Sequence, residues 1–127
     1  MIVVDTSAMM AILLNEPESS VMSDCLAASQ RVLICAGTLA EALIVAERRN
    51  LQDELIRILD GLGIEVINLT PQAAKRVAQT YALWGKGLHP AGLNFGDCFA
   101  YVLAKDQQCP LLYVGEDFSK TDIVKAV

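Results

Sequence analysis

Three acidic side chains of this chain stand in apolar surroundings, where an unpaired charge is unfavourable. Asp5 ends an apolar run at the N-terminus, Glu41 is the one polar residue of segment 39–46, and Asp97 precedes the almost wholly apolar segment 98–104. Gathered carboxylates suit hard divalent cations, because Mg²⁺ takes oxygen ligands, keeps several waters and is often completed by substrate phosphates. The chemistry that such a set could support is attack of a metal-activated water on a phosphodiester.

Each of these acids also has an ordinary structural explanation. Asp5 and Asp97 each stand at a predicted helix start, where a carboxylate caps free backbone N–H groups. Glu41 could pair with Arg48, two turns further along the same predicted helix. The recurrence of acids at comparable junctions favours the functional interpretation over three separate structural ones.

A fourth acid is expected in the turn after the apolar run 111–114. Gly115 permits a sharp turn there, and Phe118 is expected to pack inward and so fix the direction of Asp117. We predict Asp117 as the fourth metal or metal-water ligand. Asp122 is the second candidate, with a possible role in capping, and Glu116, on a longer stem, is expected to face solvent.

The elements that must position these acids follow from the alternation of short β-rich runs with helical patterns. Strands are predicted at 2–4, 31–35, 64–69 and 110–114, and helices at 8–14, 18–29, 37–49, 51–62, 70–84 and 98–105. Crossover helices between strands predict a parallel sheet covered on both faces. We therefore expect a three-layer α/β/α fold with a central parallel sheet of four to five strands, and ligands at the carboxyl ends of those strands.

Length and composition fit one domain over residues 1–127. The chain is 54% hydrophobic, yet no apolar run reaches the ~20 residues of a membrane span, and the N-terminus lacks the basic region of a signal peptide. The scattered cysteines and the single histidine exclude a zinc finger and do not resemble a disulfide framework. We expect a reduced, cytoplasmic protein without membrane contact.

The net charge of −5 argues against a nucleic-acid partner, since proteins that contact phosphates are usually basic. Cations bound to a cluster of acids would reverse the local sign, which removes much of this objection.

Four motifs together resemble the PIN-domain ribonucleases, and most closely the VapC toxins of bacterial and archaeal toxin–antitoxin pairs. They are Asp5-Thr6-Ser7-Ala8, Thr38-Leu39-Ala40-Glu41, the segment 93–101 (LNFGDCFAY), and the segment 111–118 (LLYVGEDF) with Thr121-Asp122-Ile123. The resemblance covers the whole chain in order. Its most specific part is the Asn-Phe-Gly-Asp-Cys sequence of residues 94–98.

The resemblance implies a metal-dependent endoribonuclease that cleaves single-stranded RNA, with Mg²⁺ as the cofactor and Mn²⁺ able to substitute. Asp5, Glu41 and Asp97 match the metal-binding acids of the family, and Ser7 matches a hydroxyl that supports the site. It also implies a cognate VapB-like antitoxin and a homodimer. Many relatives carry an acid where this chain has Gly115, so the resemblance does not identify the fourth acid.

Possible RNA contacts are basic residues near the predicted site. Lys86 and His89 lie in the glycine-containing segment 85–94, predicted to be a mobile loop, and Arg48 lies near the end of the helix that carries Glu41. A solvated loop and an ion pair of Arg48 with an acid are the alternatives.

Two other functions are open to the same fold class. A receiver-like phosphoacceptor domain would need a pair of acids after the first strand and a lysine at a later strand end, and neither is present. A non-catalytic binding module on the same fold would be expected to have lost one or more of the acids.

Overall fold

A four-stranded parallel sheet lies between two layers of helices in the computed structural model, which describes residues 1–127. The strands are β1 (Ile2–Val4), β2 (Val32–Cys35), β3 (Glu65–Ile67) and β4 (Leu111–Leu112), in the order β3-β2-β1-β4. The helices are α1 (Thr6–Leu13), α2 (Ser19–Ala28), α3 (Ala36–Arg48), α4 (Gln52–Gly61), α5 (Pro71–Trp84) and α6 (Phe95–Gln107), followed by a 3₁₀ turn at Phe118–Lys120. The predicted α/β/α architecture is confirmed, with four strands.

The sheet places β1 between β2 and β4, so the residue that follows β1 emerges near the middle of one edge. Val3 pairs with Leu33 on one side and with Leu111 on the other, both in parallel register. The backbone N–H of Asp5 still donates to the carbonyl of Leu112. Asp5 is thereby fixed at the carboxyl end of one of the two inner strands.

Alternate residues of each buried strand point to opposite faces, and both faces are covered. Val4 and Ile34 belong to a core shared with α1 to α4, whereas Val3 and Leu33 belong to a core shared with α5 and α6. This arrangement explains why the strands are continuous apolar runs instead of alternating polar and apolar residues.

Three of the predicted strands are longer than the observed ones, because the ends of the runs bond elsewhere. Beyond β4, for example, the backbone N–H of Val114 donates to the Ser7 hydroxyl and not to a neighbouring strand. Gly115 then turns the chain with a φ of 104°, a conformation that glycine adopts without strain.

α1 and α6 begin two and three residues earlier than predicted, because their caps are side chains close to the site. α1 begins at Thr6, directly after its cap Asp5, and α6 begins at Phe95, after its cap Asn94. The predicted start of α5 is confirmed, with Thr70 as the cap and Pro71 at the first helical position. None of the helices combines the length and the apolar character needed to cross a membrane.

Candidate active site

Asp5 caps α1 with one carboxylate oxygen and leaves the other free. Its Oδ2 accepts hydrogen bonds from the Ser7 backbone N–H (3.0 Å) and the Ser7 hydroxyl (2.7 Å). Its Oδ1 is buried without any partner. Burial raises the pKa of Asp5 to about 6, the two Ser7 hydrogen bonds oppose that rise, and the charge of Glu41 adds to it. Helix capping therefore explains the position of Oδ2 and leaves the buried Oδ1 unexplained.

Ser7 connects the ends of two strands through its hydroxyl. The hydroxyl donates to Asp5 and accepts a 3.0 Å hydrogen bond from the backbone N–H of Val114, just beyond β4. The predicted supporting residue thus holds the Asp5 carboxylate in position against the neighbouring strand end.

Asp97 is fixed in the first turn of α6 by a reciprocal pair of hydrogen bonds. Its Oδ2 accepts from the Asn94 backbone N–H (3.0 Å), while its own N–H donates to Asn94 Oδ1 (2.8 Å). Burial raises the pKa of Asp97 to about 7. The Asn94 hydrogen bond lowers that pKa, and the charges of Asp5, Asp117 and Glu41 raise it further. The other three predicted acids therefore all lie near enough to Asp97 for their charges to act on its pKa.

Glu41 projects from α3 toward the start of α6, where it meets the backbone of Gly96. A Cβ at position 96 would overlap the Glu41 carboxylate, so only glycine allows the two to lie this close. The alternative pairing with Arg48 does not occur. The ion pairs of the chain are Arg31–Glu65, Arg76–Asp106 and Lys105–Asp122.

The acidic turn after β4 sends its members in different directions. Phe118 is 3% exposed and packs against the Tyr113 ring at 5.1 Å, as expected, and Asp117 just before it lies close enough to raise the pKa of Asp97. Glu116 is exposed, and its carboxylate lies 3.4 Å from the Ser119 hydroxyl.

Asp122 is used elsewhere. Its Oδ1 accepts from the Tyr101 hydroxyl at 2.5 Å and its Oδ2 from the Lys105 ammonium at 3.0 Å. These contacts lower the pKa of Asp122, with the Tyr101 hydrogen bond as the largest cause. Of Asp117 and Asp122, Asp117 is therefore the one whose charge acts on the pKa of Asp97.

The arrangement of these acids is compatible with a hydrated divalent cation. No three His, Cys, Asp or Glu side chains come close enough together to hold a metal ion by themselves. The donors are all carboxylate oxygens, however, and one of them, Asp5 Oδ1, is buried without a hydrogen bond. Such a set fits Mg²⁺, which binds through few carboxylates and keeps several waters, better than it fits zinc.

The predicted RNA contacts have different surroundings. The side chain of Lys86 is exposed, whereas His89 Nδ1 accepts from the Ala91 N–H and its ring packs edge-on against Trp84 at 4.7 Å. His89 therefore holds the loop together, and backbone hydrogen bonds between Leu93 and both Trp84 and Lys86 close it.

Arg48 is exposed at the C-terminal end of α3 and makes no ion pair. It lines the same groove as Glu41.

Sequence reasoning missed the contributions of Asn94, Phe95 and Gly96 to this region. The signal for Asn94 was present, since an Asn three residues before an acid, followed by an apolar run, is typical of a helix start. The contact of Gly96 with Glu41 joins residues far apart in the chain, and no local pattern indicates it.

Comparisons with known proteins agree with this fold. The family profile described as PIN domain matches residues 2–124. Ribonuclease VapC30 of Mycobacterium tuberculosis is 37% identical over 124 residues, covering 95% of both chains. Ribonuclease VapC28 of the same organism is 37% identical over 129 residues, covering 98% of this chain and 97% of its own.

Two solved structures have a similar fold at low sequence identity. Mycobacterium tuberculosis VapC20, a sarcin-ricin loop cleaving toxin, superposes with a TM-score of 0.81 at 16% identity, covering 98% of each chain. A chain of a toxin–antitoxin complex from Klebsiella pneumoniae superposes with a TM-score of 0.75 at 16% identity, covering 100% of this chain and 98% of its own.

Proposed function

We propose that this chain, which belongs to the PIN-domain family and within it to the VapC ribonucleases, is a metal-dependent endoribonuclease toxin that cleaves single-stranded RNA. The observation that carries the proposal is Asp5 Oδ1, an oxygen buried without a hydrogen-bond partner at the carboxyl end of β1. The charges of Glu41 and Asp97 act in the same region, since the charges of Asp5 and Glu41 both raise the pKa of Asp97. Family membership also removes the receiver-like alternative.

Asp5, Glu41, Asp97 and Asp117 would hold Mg²⁺ or Mn²⁺. A divalent cation bound there would supply a more acidic water and would stabilise the leaving oxygen of a phosphodiester. The protein's own part is to keep these carboxylates in place, through the Ser7 hydroxyl on Asp5 and the Asn94 bonds on Asp97.

The charge of the site supports a role for cations. Without one, neighbouring carboxylates repel each other and would also repel the phosphates of RNA. A divalent cation reverses that local sign, so a chain of net charge −5 can still bind a polyanion at this edge.

We further propose that a cognate VapB-like antitoxin restrains the enzyme. A basic peptide segment offering an Arg to the carboxylates would neutralise their repulsion through charge-assisted hydrogen bonds. We also propose that the chain forms a homodimer, as the VapC resemblance implies. We propose that the chain acts in the cytoplasm, on RNA present there.

The test is cleavage of a single-stranded RNA by the purified chain, with Mn²⁺ or Mg²⁺ and with EDTA. Cleavage that requires the metal and is lost in Asp97→Asn supports the proposal. Binding of RNA without cleavage under any metal condition would instead support the non-catalytic binding module.

A further inference from the structure

A groove of about 510 Å³ lies between α3 and α6, beside the acids. Gly37, Ala40 and Ile44 form its α3 side, and Phe95 and Phe99 form its α6 side. Its volume is in the range of pockets that hold small organic groups. Its walls are largely apolar, which is unusual for a surface next to a cluster of carboxylates.

Phe95 presents a fixed aromatic ring to solvent in this groove. It is 69% exposed and packs edge-on against Phe99, with the ring centroids 4.8 Å apart and the planes at 75°. Phe99 in turn lies so close to Gly37 that a Cβ there would meet its ring. The Phe95 ring is therefore supported from beneath while most of its surface remains open.

The groove has opposite charges at its two ends. Glu41 lines the end that adjoins the acids, and Arg48 lines the other end and makes no ion pair. The two residues are seven positions apart on one helix, which corresponds to about 10 Å along its axis. A short stretch of extended single-stranded RNA can span that distance.

We propose that this groove is a nucleobase subsite, in which Phe95 stacks on a base flanking the cleaved phosphodiester and Arg48 contacts a phosphate beyond that base. The inference rests on the proposed function, since it places the flanking nucleotide next to the carboxylates. Aromatic stacking of this kind accepts any base, so the subsite positions RNA without reading its sequence. Phe95 binds the substrate directly in this scheme and takes no part in the chemical step.

RNA fits this surface better than a second copy of the chain does. Glu41 belongs both to the groove and to the set of acids around Asp97, so a ligand in the groove is directly connected to the site. The unpaired guanidinium of Arg48 at the far end suits a phosphate of RNA. Two copies of this chain, each with a net charge of −5, would instead repel each other.

The experiment measures binding of a fluorescently labelled single-stranded RNA to proteins that all carry Asp97→Asn, so that no cleavage occurs. A series of oligonucleotides has one base removed at successive positions. In the parent protein, which keeps Phe95, removal at one position should weaken binding about tenfold. Phe95→Ala should bind intact RNA about tenfold more weakly than the parent does, and removal of the same base should weaken its binding no further. Phe95→Tyr should again bind intact RNA tightly and lose affinity when that base is removed.

Two matched controls accompany these variants. Val124→Ala removes a similarly exposed apolar side chain, 65% exposed, outside this groove, and should bind as the parent protein does. Arg48→Gln should reduce the slope of log affinity against log salt by roughly 0.7, the value for one contact to a single strand, whereas Arg49→Gln, on the adjacent exposed residue, should not.

The outcomes separate this inference from the proposed function. Equal sensitivity of the parent protein and the Phe95→Ala variant to every abasic position would overturn the subsite, even if the wild-type chain cleaves RNA. If the parent protein binds every abasic RNA as well as the intact one, and Phe95→Ala converts a dimer into a monomer, the groove is an interface between copies and the subsite is rejected. Retained abasic sensitivity without any cleavage by the wild-type chain would leave the subsite standing and reject the nuclease.

Discussion

The Glu41 carboxylate lies directly against the backbone of Gly96, at a distance that only a residue without a Cβ allows. This contact brings α3 and the first turn of α6 together, one residue before Asp97. Glycine at this position therefore sets how close the two carboxylates can come.

Gly96→Ala should reduce cleavage and Mn²⁺ affinity strongly while changing stability little. The added methyl would displace the end of a flexible Glu41 side chain, and alanine favours a helix over glycine by up to about 1 kcal/mol. Urea denaturation and cleavage rates would be measured together. Gly61→Ala, where a Cβ meets nothing within 4 Å, is the matched control and should leave activity unchanged. Full activity of Gly96→Ala would show that the position of Glu41 is not critical.

Mn²⁺ should raise the melting temperature of the chain through linkage, because the cation binds only the folded arrangement of acids. At a hundredfold excess over the dissociation constant the stabilisation is about 2.7 kcal/mol. Asp97→Asn should lose this response and be as stable as, or more stable than, the metal-free parent. Asp60→Asn, on an exposed residue of α4, should keep the response. An unchanged melting temperature in millimolar Mn²⁺ would contradict the metal site.

Without metal, the chain should become less stable as the pH rises from about 4 to 7. Burial raises the pKa of Asp5 to about 6 and that of Asp97 to about 7, from an ordinary value of 3.8. The folded state therefore binds more protons than the unfolded state across this interval, and stability falls with pH. Asp5 alone accounts for up to about 3 kcal/mol of this fall in the free energy of unfolding. Urea denaturation in EDTA at several pH values measures the free energy of unfolding. A free energy of unfolding that increases from pH 4 to 7 would refute the prediction.

Asp117→Asn should reduce Mn²⁺ affinity and cleavage rate, whereas Asp122→Asn should mainly reduce stability. Asp117 lies near Asp97, while Asp122 accepts hydrogen bonds from Tyr101 and Lys105. Weakening the latter pair of contacts should destabilise the fold by about 1 kcal/mol. If both variants fold and Asp122→Asn loses more activity, the fourth acid is Asp122.

Expression of the chain alone in a bacterial host should slow growth, and Asp5→Ala should relieve the effect. The reason is that Asp5 provides the buried, unpaired oxygen of the site. Growth curves with matched protein levels, checked by immunoblotting, measure the difference. Co-expression of the cognate antitoxin should also restore growth, and equal toxicity of wild type and Asp5→Ala would argue against RNA cleavage as the cause.

Local pattern and chain order are enough to predict the parallel sheet and the position of Asp5 at its carboxyl edge. Continuous apolar runs such as 2–4 and 111–114 predict strands buried on both faces, and helices between such strands require parallel pairing. Because parallel strands end at one edge, the position of Asp5 after β1 followed from the chain order alone. These features depend on local pattern and connectivity, which a sequence displays directly.

The surroundings of each acid depend on tertiary contacts that the sequence does not display. Asp117 and Asp122 stand five positions apart and look alike in the sequence. The charge of Asp117 raises the pKa of Asp97, whereas Asp122 accepts hydrogen bonds from Tyr101 and Lys105 of α6. The contact of Glu41 with Gly96 likewise joins two helices far apart in the chain. Side-chain partners of this kind depend on how the helices pack against the sheet. The sequence pattern around a single acid does not show that packing, because the partners come from distant parts of the chain.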